Sequence, residues 1–239
     1  MTALLRYQTA ILLRSRRWIF PLICYALLIA VGAAGSTSLA ETLDWSGAML
    51  VPVVAFLTRG MLTAEPDAAR ACVAAAASPV RAQLAILIVP LGTGAVLGLA
   101  ATVFDVLTAE AAAAAPASGL PGKVTAAAGH PGILVAGLLI ALVCLLVGSA
   151  VGALCNPPLL RHPAAAMLST LAAIILALAA GVSPANAAIG HSTAQAATPL
   201  AATWPGTGAL AGAACLLVVT WGASVVAATR RDTWSVSSG

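Results

Sequence analysis

An all-α membrane protein is the fold class this sequence predicts: six transmembrane helices, an N-terminal amphipathic interfacial helix, and both termini in the cytoplasm. Three observations predict it. Of 239 residues, 61% are hydrophobic and only 8% are charged, where an ordinary soluble domain carries roughly a quarter charged residues. Six apolar stretches approach membrane-spanning length. The cations gather on alternate connections between those stretches.

A helix rising 1.5 Å per residue needs roughly 20 apolar residues to cross a hydrocarbon core about 30 Å thick. The stretches 18–38, 45–62, 82–104, 131–155, 163–181 and 207–229 meet that need, the second and fifth being the shortest. Apart from Arg59, near one end of the second, none contains Asp, Glu, Lys or Arg. A charge at mid-span costs about 2.5 to 3.5 kcal/mol on insertion, so clean interiors are the expected signature. With the N-terminus inside, ten of the eleven cations fall on the cytoplasmic side: Arg6, Arg14, Arg16, Arg17, Arg59, Arg70, Arg81, Arg161, Arg230 and Arg231. Lys123 alone falls outside, and five or seven spans would put the Arg230–Arg231 pair there as well. Among the acids, Glu41, Asp44, Asp105 and Glu110 are expected outside, with Glu65, Asp67 and Asp232 inside.

The chain opens with Arg6, Arg14, Arg16 and Arg17 ahead of an apolar run. A cleaved signal peptide has this polarity, but the run is too long for a signal core, and an uncleaved first span is expected. On a helical wheel Leu4, Leu5, Tyr7, Ile11, Leu12 and Trp18 share one face, while Arg6, Thr9, Arg16 and Arg17 share the other; Leu13 is the exception. That pattern suits a helix lying in the membrane interface with its cations toward anionic headgroups. The same arginines also serve to set topology, and both roles stand together.

Between the second and third stretches, Thr63-Ala64-Glu65-Pro66-Asp67 reads as a helix start: a capping hydroxyl, a proline in the first turn, and acids near the positive end of the dipole. An Ala-rich body follows and Pro79 stops it after Ser78, with Asp67 and Arg70 three apart on one face. A simple connector needs only 2–8 residues, so the extra length asks for a use. The outer segment 105–130, with Pro116, Pro121 and Gly122, reads as a loop with a short helix at its start. Segment 182–206 is bounded by prolines yet apolar, with Asn186, His191, Thr193 and Gln195 within it. A short re-entrant helix and a solvated loop both fit it.

No catalytic constellation is present. His130, His162 and His191 are isolated, and Cys24, Cys72, Cys144, Cys155 and Cys215 show no CxxC spacing, so a zinc site or disulfide framework is not expected. The cysteines read as small apolar fillers. Gly122-Lys123 is followed by Val124, so no phosphate-binding loop exists and the chain does not hydrolyse ATP alone. No face suits nucleic acid. Bare span interiors disfavour an autonomous proton-driven carrier, which places a carboxylate or histidine inside the bundle. The pairs Gly94 with Gly98, Gly148 with Gly152 and Gly208 with Gly212 allow close helix approach, though chance supplies such pairs in a Gly/Ala-rich chain.

The order of parts is a basic amphipathic leading helix, six spans, a cytoplasmic helix after the second and a long outer segment after the fifth. With Thr63-Ala64-Glu65-Pro66-Asp67 through Ser78-Pro79-Val80-Arg81, this order resembles the type-2 permease subunits of ATP-binding cassette (ABC) exporters. The resemblance covers the whole chain as architecture. It implies that residues 65–78 are a coupling helix docking on a separate ATPase subunit, with Glu65, Pro66, Asp67 and Arg70 at the contact. It implies an elbow helix at residues 1–17, anchored at the membrane interface by Arg14, Arg16, Arg17 and Trp18, and a re-entrant cap at 182–206. The second and fifth spans would line the route. The implied partners are the ATPase, a second copy of this permease or a homologous one, and membrane lipid. No cofactor belongs to this chain, since ATP and Mg would sit on the ATPase. The implied location is the plasma (inner) membrane, and the apolar route suits a lipophilic or amphipathic cargo. The short inner link 156–162 departs from the pattern and puts a second ATPase contact in doubt. A non-transporting multispan protein, such as an assembly scaffold or resistance protein, and an ion-coupled carrier are the competing readings.

Overall fold

The computed structural model describes residues 1–16, 18–35, 39–114, 131–155, 163–180, 183–195 and 207–237. The described residues are helical throughout, in the order α1 Thr2–Arg14, α2 Ile19–Gly35, α3 Leu39–Leu62, α4 Asp67–Ala77, α5 Pro79–Ala114, α6 Pro131–Leu154, α7 Pro163–Ala179, α8 Pro184–Gln195 and α9 Thr207–Ser237. Helices satisfy every backbone group within one segment, which hydrocarbon requires.

Five candidate spans among the described residues are long and apolar enough to cross a membrane: Leu39–Leu62, Pro79–Ala109, Gly132–Leu154, Ala166–Ile189 and Thr207–Ala227. A sixth is reached if α1 and α2, bent by 77° at their junction, count together. The chain is thus a multispan helical membrane protein by length and apolarity. The bend falls where Arg16 takes a φ of 51°, a left-handed backbone that breaks the helix before Ile19.

Several expected boundaries move. α5 has 36 residues, about 54 Å at 1.5 Å per residue. The short helix expected at the start of 105–130 is the unbroken end of this span, and 115–130 lie outside the described residues. α7 stops at Ala179 and α8 begins at Pro184, yet together they make one candidate span. Of segment 182–206, the described part is thus a helix whose Ala185 and Ala188 are fully buried in the bundle. The tail expected from 230 onward is helical to Ser237.

α3 is the axis of the bundle, packed against α2, α5, α6, α7 and α8. Its contact with α6 is the closest. A Cβ on Gly148 would stand 2.7 Å from the Val51 carbonyl oxygen, and one on Gly152 would stand 2.6 Å from that of Ala55. Only hydrogen fits there, so the Gly148–Gly152 pair is used within the chain to bring two backbones together. Gly94 and Gly98 receive Val54, Leu145 and Leu50 of α3 and α6 at the other flank, whereas Gly208 meets nothing. The core continues through Val51, Val54, Ala55, Val143 and Cys144, all fully buried. Phe20, Ile23, Leu27 and Val31 form an outward stripe on α2, matched by Met167, Leu168, Ile175 and Leu176 on α7. Such stripes suit a lipid-facing perimeter.

Polar side chains inside the spans are satisfied mainly by their own helix. Thr93, Thr102 and Thr170 each donate to the carbonyl four residues back, at 2.9, 2.9 and 2.7 Å. Between helices, Trp221 donates to Ser149 at 3.2 Å and Trp45 to the Leu28 carbonyl at 2.9 Å. Gly32 makes room for the Trp45 indole, which a Cβ there would strike.

The expectation of bare interiors is corrected. Asp44 and Asp105, placed outside by counting apolar residues, are buried at 7% and 1% exposure. α3 begins at Leu39 and α5 runs past Asp105, so both carboxylates lie within helices rather than in loops. The cysteines divide as well: Cys144 and Cys155 are buried, but Cys72 and Cys215 are exposed and fill nothing.

Candidate functional site

The most organised polar region lies where α1 meets the α3–α4 turn. α1 presents Gln8 and Leu12, buried at 1% and 6%, from the stripe Leu5, Gln8, Leu12 spaced three and four residues apart. Leu12 joins Met61 and Leu62 at the end of α3 and Ile86 and Leu87 of α5. Burying a leucine is worth about 1.5 to 3 kcal/mol, enough to seat a 13-residue helix on the bundle. Leu13, the exception on the wheel, points out at 60% exposure.

Glu65 sits in the turn and points back into this contact. It is 6% exposed and accepts from the Tyr7 hydroxyl at 3.1 Å and from Gln8 Nε2 at 3.4 Å. A carboxylate in such a place is tolerable because donors meet both oxygens. Loss of solvent, and after it the bond to Glu65, pushes the Tyr7 phenol above its ordinary value, which keeps it a donor. Glu65 is therefore a clasp between α1 and the turn, and its oxygens face the chain itself.

The rest of the turn is closed by backbone bonds. Arg70 reaches from α4 to the Leu62 carbonyl at 2.6 Å, satisfying an end-of-helix acceptor of α3. Its Nε is buried without a partner. Arg70 thus bonds α3, and the side chain of Asp67 lies outside the described residues. Thr63 was expected to cap α4. It bonds the Arg59 and Gly60 carbonyls at 3.1 and 3.3 Å instead, closing α3. The N-cap of α4 is Pro66, exposed and extended, with no side-chain cap. Ser78, at a φ of 75°, ends α4, and Pro79 opens α5 directly, where its missing N–H costs nothing.

α4 packs along α5 and is tied to α3 through Arg70. From Ala68 to Ala77 no side chain is buried, and Ala68, Ala71, Cys72, Ala75 and Ala76 are exposed. The region thus has a braced base and a smooth, open helix above it. Nearby, Arg59 donates to Thr170 of α7 at 3.1 Å and links the same end to a further helix.

Of the expected interface anchors, Arg14 is exposed in the last turn of α1, Arg16 is exposed at the bend, and Trp18 is half-buried with Nε1 3.4 Å from the Leu13 carbonyl. Arg17 lies outside the described residues, as do Lys123, Arg161, His130 and His162. Gln8 was the partner that sequence reasoning missed. Its signal was present: a polar side chain centred in a Leu5–Leu12 stripe needs a buried hydrogen-bond partner. No group of three or more metal-ligating side chains occurs among the described residues.

The geometry defines a class: a multispan helical membrane protein with a clasped leading helix and an open helix between two spans. No protein-family model matches the sequence, and neither does any curated protein or solved structure.

Proposed function

We propose that the chain is the membrane-spanning permease subunit of an ATP-driven ABC exporter. It forms the substrate pathway and couples to a separate ATPase subunit, with both termini in the cytoplasm of a plasma (inner) membrane protein. The observation that carries this reading is α4: a helix between two spans, packed on α5 by one face and open on the other at Ala68, Ala71, Cys72, Ala75 and Ala76, on a base fixed by Glu65 and Arg70. A connector would need neither the exposed length nor the bracing. An ATPase groove that grips α4 would move the α3–α4 turn. Through Glu65 it would move α1, and through Leu62 it would move α3, the axis of the bundle.

Transport in this reading needs two permease copies and two ATPases, with ATP and Mg held by the ATPase. Lipophilic or amphipathic cargo suits a route of apolar side chains. Because Glu65 is turned inward, the docking contact rests on the exposed alanines and Cys72 rather than on an acidic pair.

The test is co-expression with the neighbouring ATPase gene, purification of the complex and measurement of its stimulated hydrolysis. Ala71→Trp with Ala75→Trp should abolish co-purification and stimulation while membrane insertion persists. Protection of Cys72 from a maleimide in the complex should be lost in parallel. ATPase binding and stimulation at wild-type levels in that double variant would sink the coupling role of α4. A proton-coupled carrier is the second reading, favoured by the buried Asp105; proton-dependent uptake without any ATPase would establish it instead.

A further inference from the structure

Asp105 is the most deeply buried carboxylate among the described residues, at 1% exposure, and neither oxygen has a hydrogen-bond partner. Apolar packing closes it on both sides. One turn before it, Ala101 joins the core of Tyr25 and Leu50; one turn after it, Ala109 joins Leu39 and Leu43.

Two hydroxyls neighbour it: that of Ser46, within reach of the carboxylate but outside hydrogen-bond geometry, and that of Tyr25. Each has one hydrogen to give, and each gives it to a backbone carbonyl: Ser46 to Leu43 at 3.1 Å and Tyr25 to Ser46 at 3.2 Å. Of the other ionisable groups on packed elements, Asp44 of α3 lies near Cys144 of α6, and Glu41 of α3 is exposed. On α9, the described part of the span offers only the exposed Cys215. Glu110 follows five residues on in α5. The arginines of α1, α4 and the end of α3 lie at the opposite end of the bundle. Arg81, on α5 itself, is about 36 Å away along the helix axis.

A bare carboxylate costs several kcal/mol to bury, and here no cation among the described residues stands near to offset it. A metal ion would need several more oxygens than Asp105, Ser46 and Tyr25 supply. A proton needs no space, removes the charge and turns one oxygen into a donor. We propose that Asp105 is a reversible proton-binding site between α2, α3 and α5, at the end of the bundle away from the arginines. When the acid ionises, the apolar packing around it parts and its proton passes to solvent at that end. The hydroxyl hydrogens of Ser46 and Tyr25 then turn from Leu43 and Ser46 carbonyls to the carboxylate. An ionisable group inside a membrane bundle is a functional feature by default, and this one makes the packing of α2, α3 and α5 sensitive to pH.

Infrared spectroscopy of the full chain in lipid nanodiscs, with pH stepped upward from about 5, where an ordinary aspartate is already ionised, tests the site. The carbonyl stretch of a protonated carboxylic acid is expected at the start of that series, lost as pH rises, missing in D105N and retained in D44N. If D105N does not fold, the assignment is made in D44N carrying side-chain carbon-13 aspartate, where the band should shift. Absence of the band at about pH 5, its survival in D105N, or no shift on labelling overturns the proposal. So does its loss at constant pH on adding sodium or potassium, which would make the site one for a metal cation. Pairing with Lys123 would likewise show as an absent band that appears in K123Q, and would overturn it.

Discussion

Two buried carboxylates, one at each end of the bundle, are held in opposite ways. At the end that carries α1 and α4, Glu65 at 6% exposure is met by two donors from another helix. At the other end, Asp105 at 1% is met by none. Packing differs in the same sense. Gly152, near Glu65's end, lies against the Ala55 backbone, whereas Gly137, at the far end, lies against the Leu43 side chain. Both ends carry hydrogen bonds between helices, since Tyr25 and Trp45 tie α2 to α3 at the second, but only at the first are the donors aimed at the buried acid.

The largest effect that would break this contrast is at Gly152. A leucine there meets the Ala55 carbonyl oxygen and Thr58 Cβ within 2.7 Å and neither can swing away. We expect a loss at or above the usual 1 to 3 kcal/mol for overpacking, read as a Tm drop and a poor yield of folded protein. E65A comes next. It strands the buried Gln8 donor, costing about 1 to 3 kcal/mol, and should free α1, seen as faster hydrogen exchange over residues 2–14. Unchanged exchange there would mean the clasp does not hold the helix.

Y7F removes one of the two bonds and is expected to cost about 0.5 to 1.5 kcal/mol. It should leave the hydrogen-exchange pattern intermediate between wild type and E65A. Smallest in magnitude but sharpest for the comparison is D105N, which matches the neutral acid in shape. Its Tm at about pH 5 should stay close to wild type. The native state of the proposed site holds a proton that the unfolded chain has already released there, so wild-type stability should rise as pH falls toward the ordinary carboxylate range. D105N should lack that rise, and a parallel pH profile in the two proteins would place the dependence elsewhere.

Much of this architecture was legible in the residues. The start of each apolar stretch from Pro131, Pro163 and Thr207 coincides with the start of α6, α7 and α9. The helix between the second and third stretches lies within residues 65–78 as Asp67–Ala77. Leu4, Leu5, Ile11 and Leu12 turn inward on α1 while Arg6 and Arg14 turn outward. Such patterns are periodic and local, so they survive without knowledge of neighbours.

Partners were not legible. Thr63 has the chemistry of a cap for α4, but the chain direction after Leu62 sends its hydroxyl back to α3. Glu65 reads in sequence as an acid beside a helix dipole, because nothing near it announces Tyr7 and Gln8, 58 and 57 residues away. Asp105 sits at the edge of an apolar run, and hydropathy counts it as the first loop residue. The helix continues because neighbouring spans shelter it.

Apolar length, together with scarce charge, determined that this protein is a bundle of spans, since hydrocarbon accepts little else. Tertiary structure alone decided which polar side chains the bundle encloses and whether they are met. That depends on which helices pass at the same height, and no periodicity within a single helix carries that information. The clasp at Glu65 and the unmet acid at Asp105 come from that arrangement.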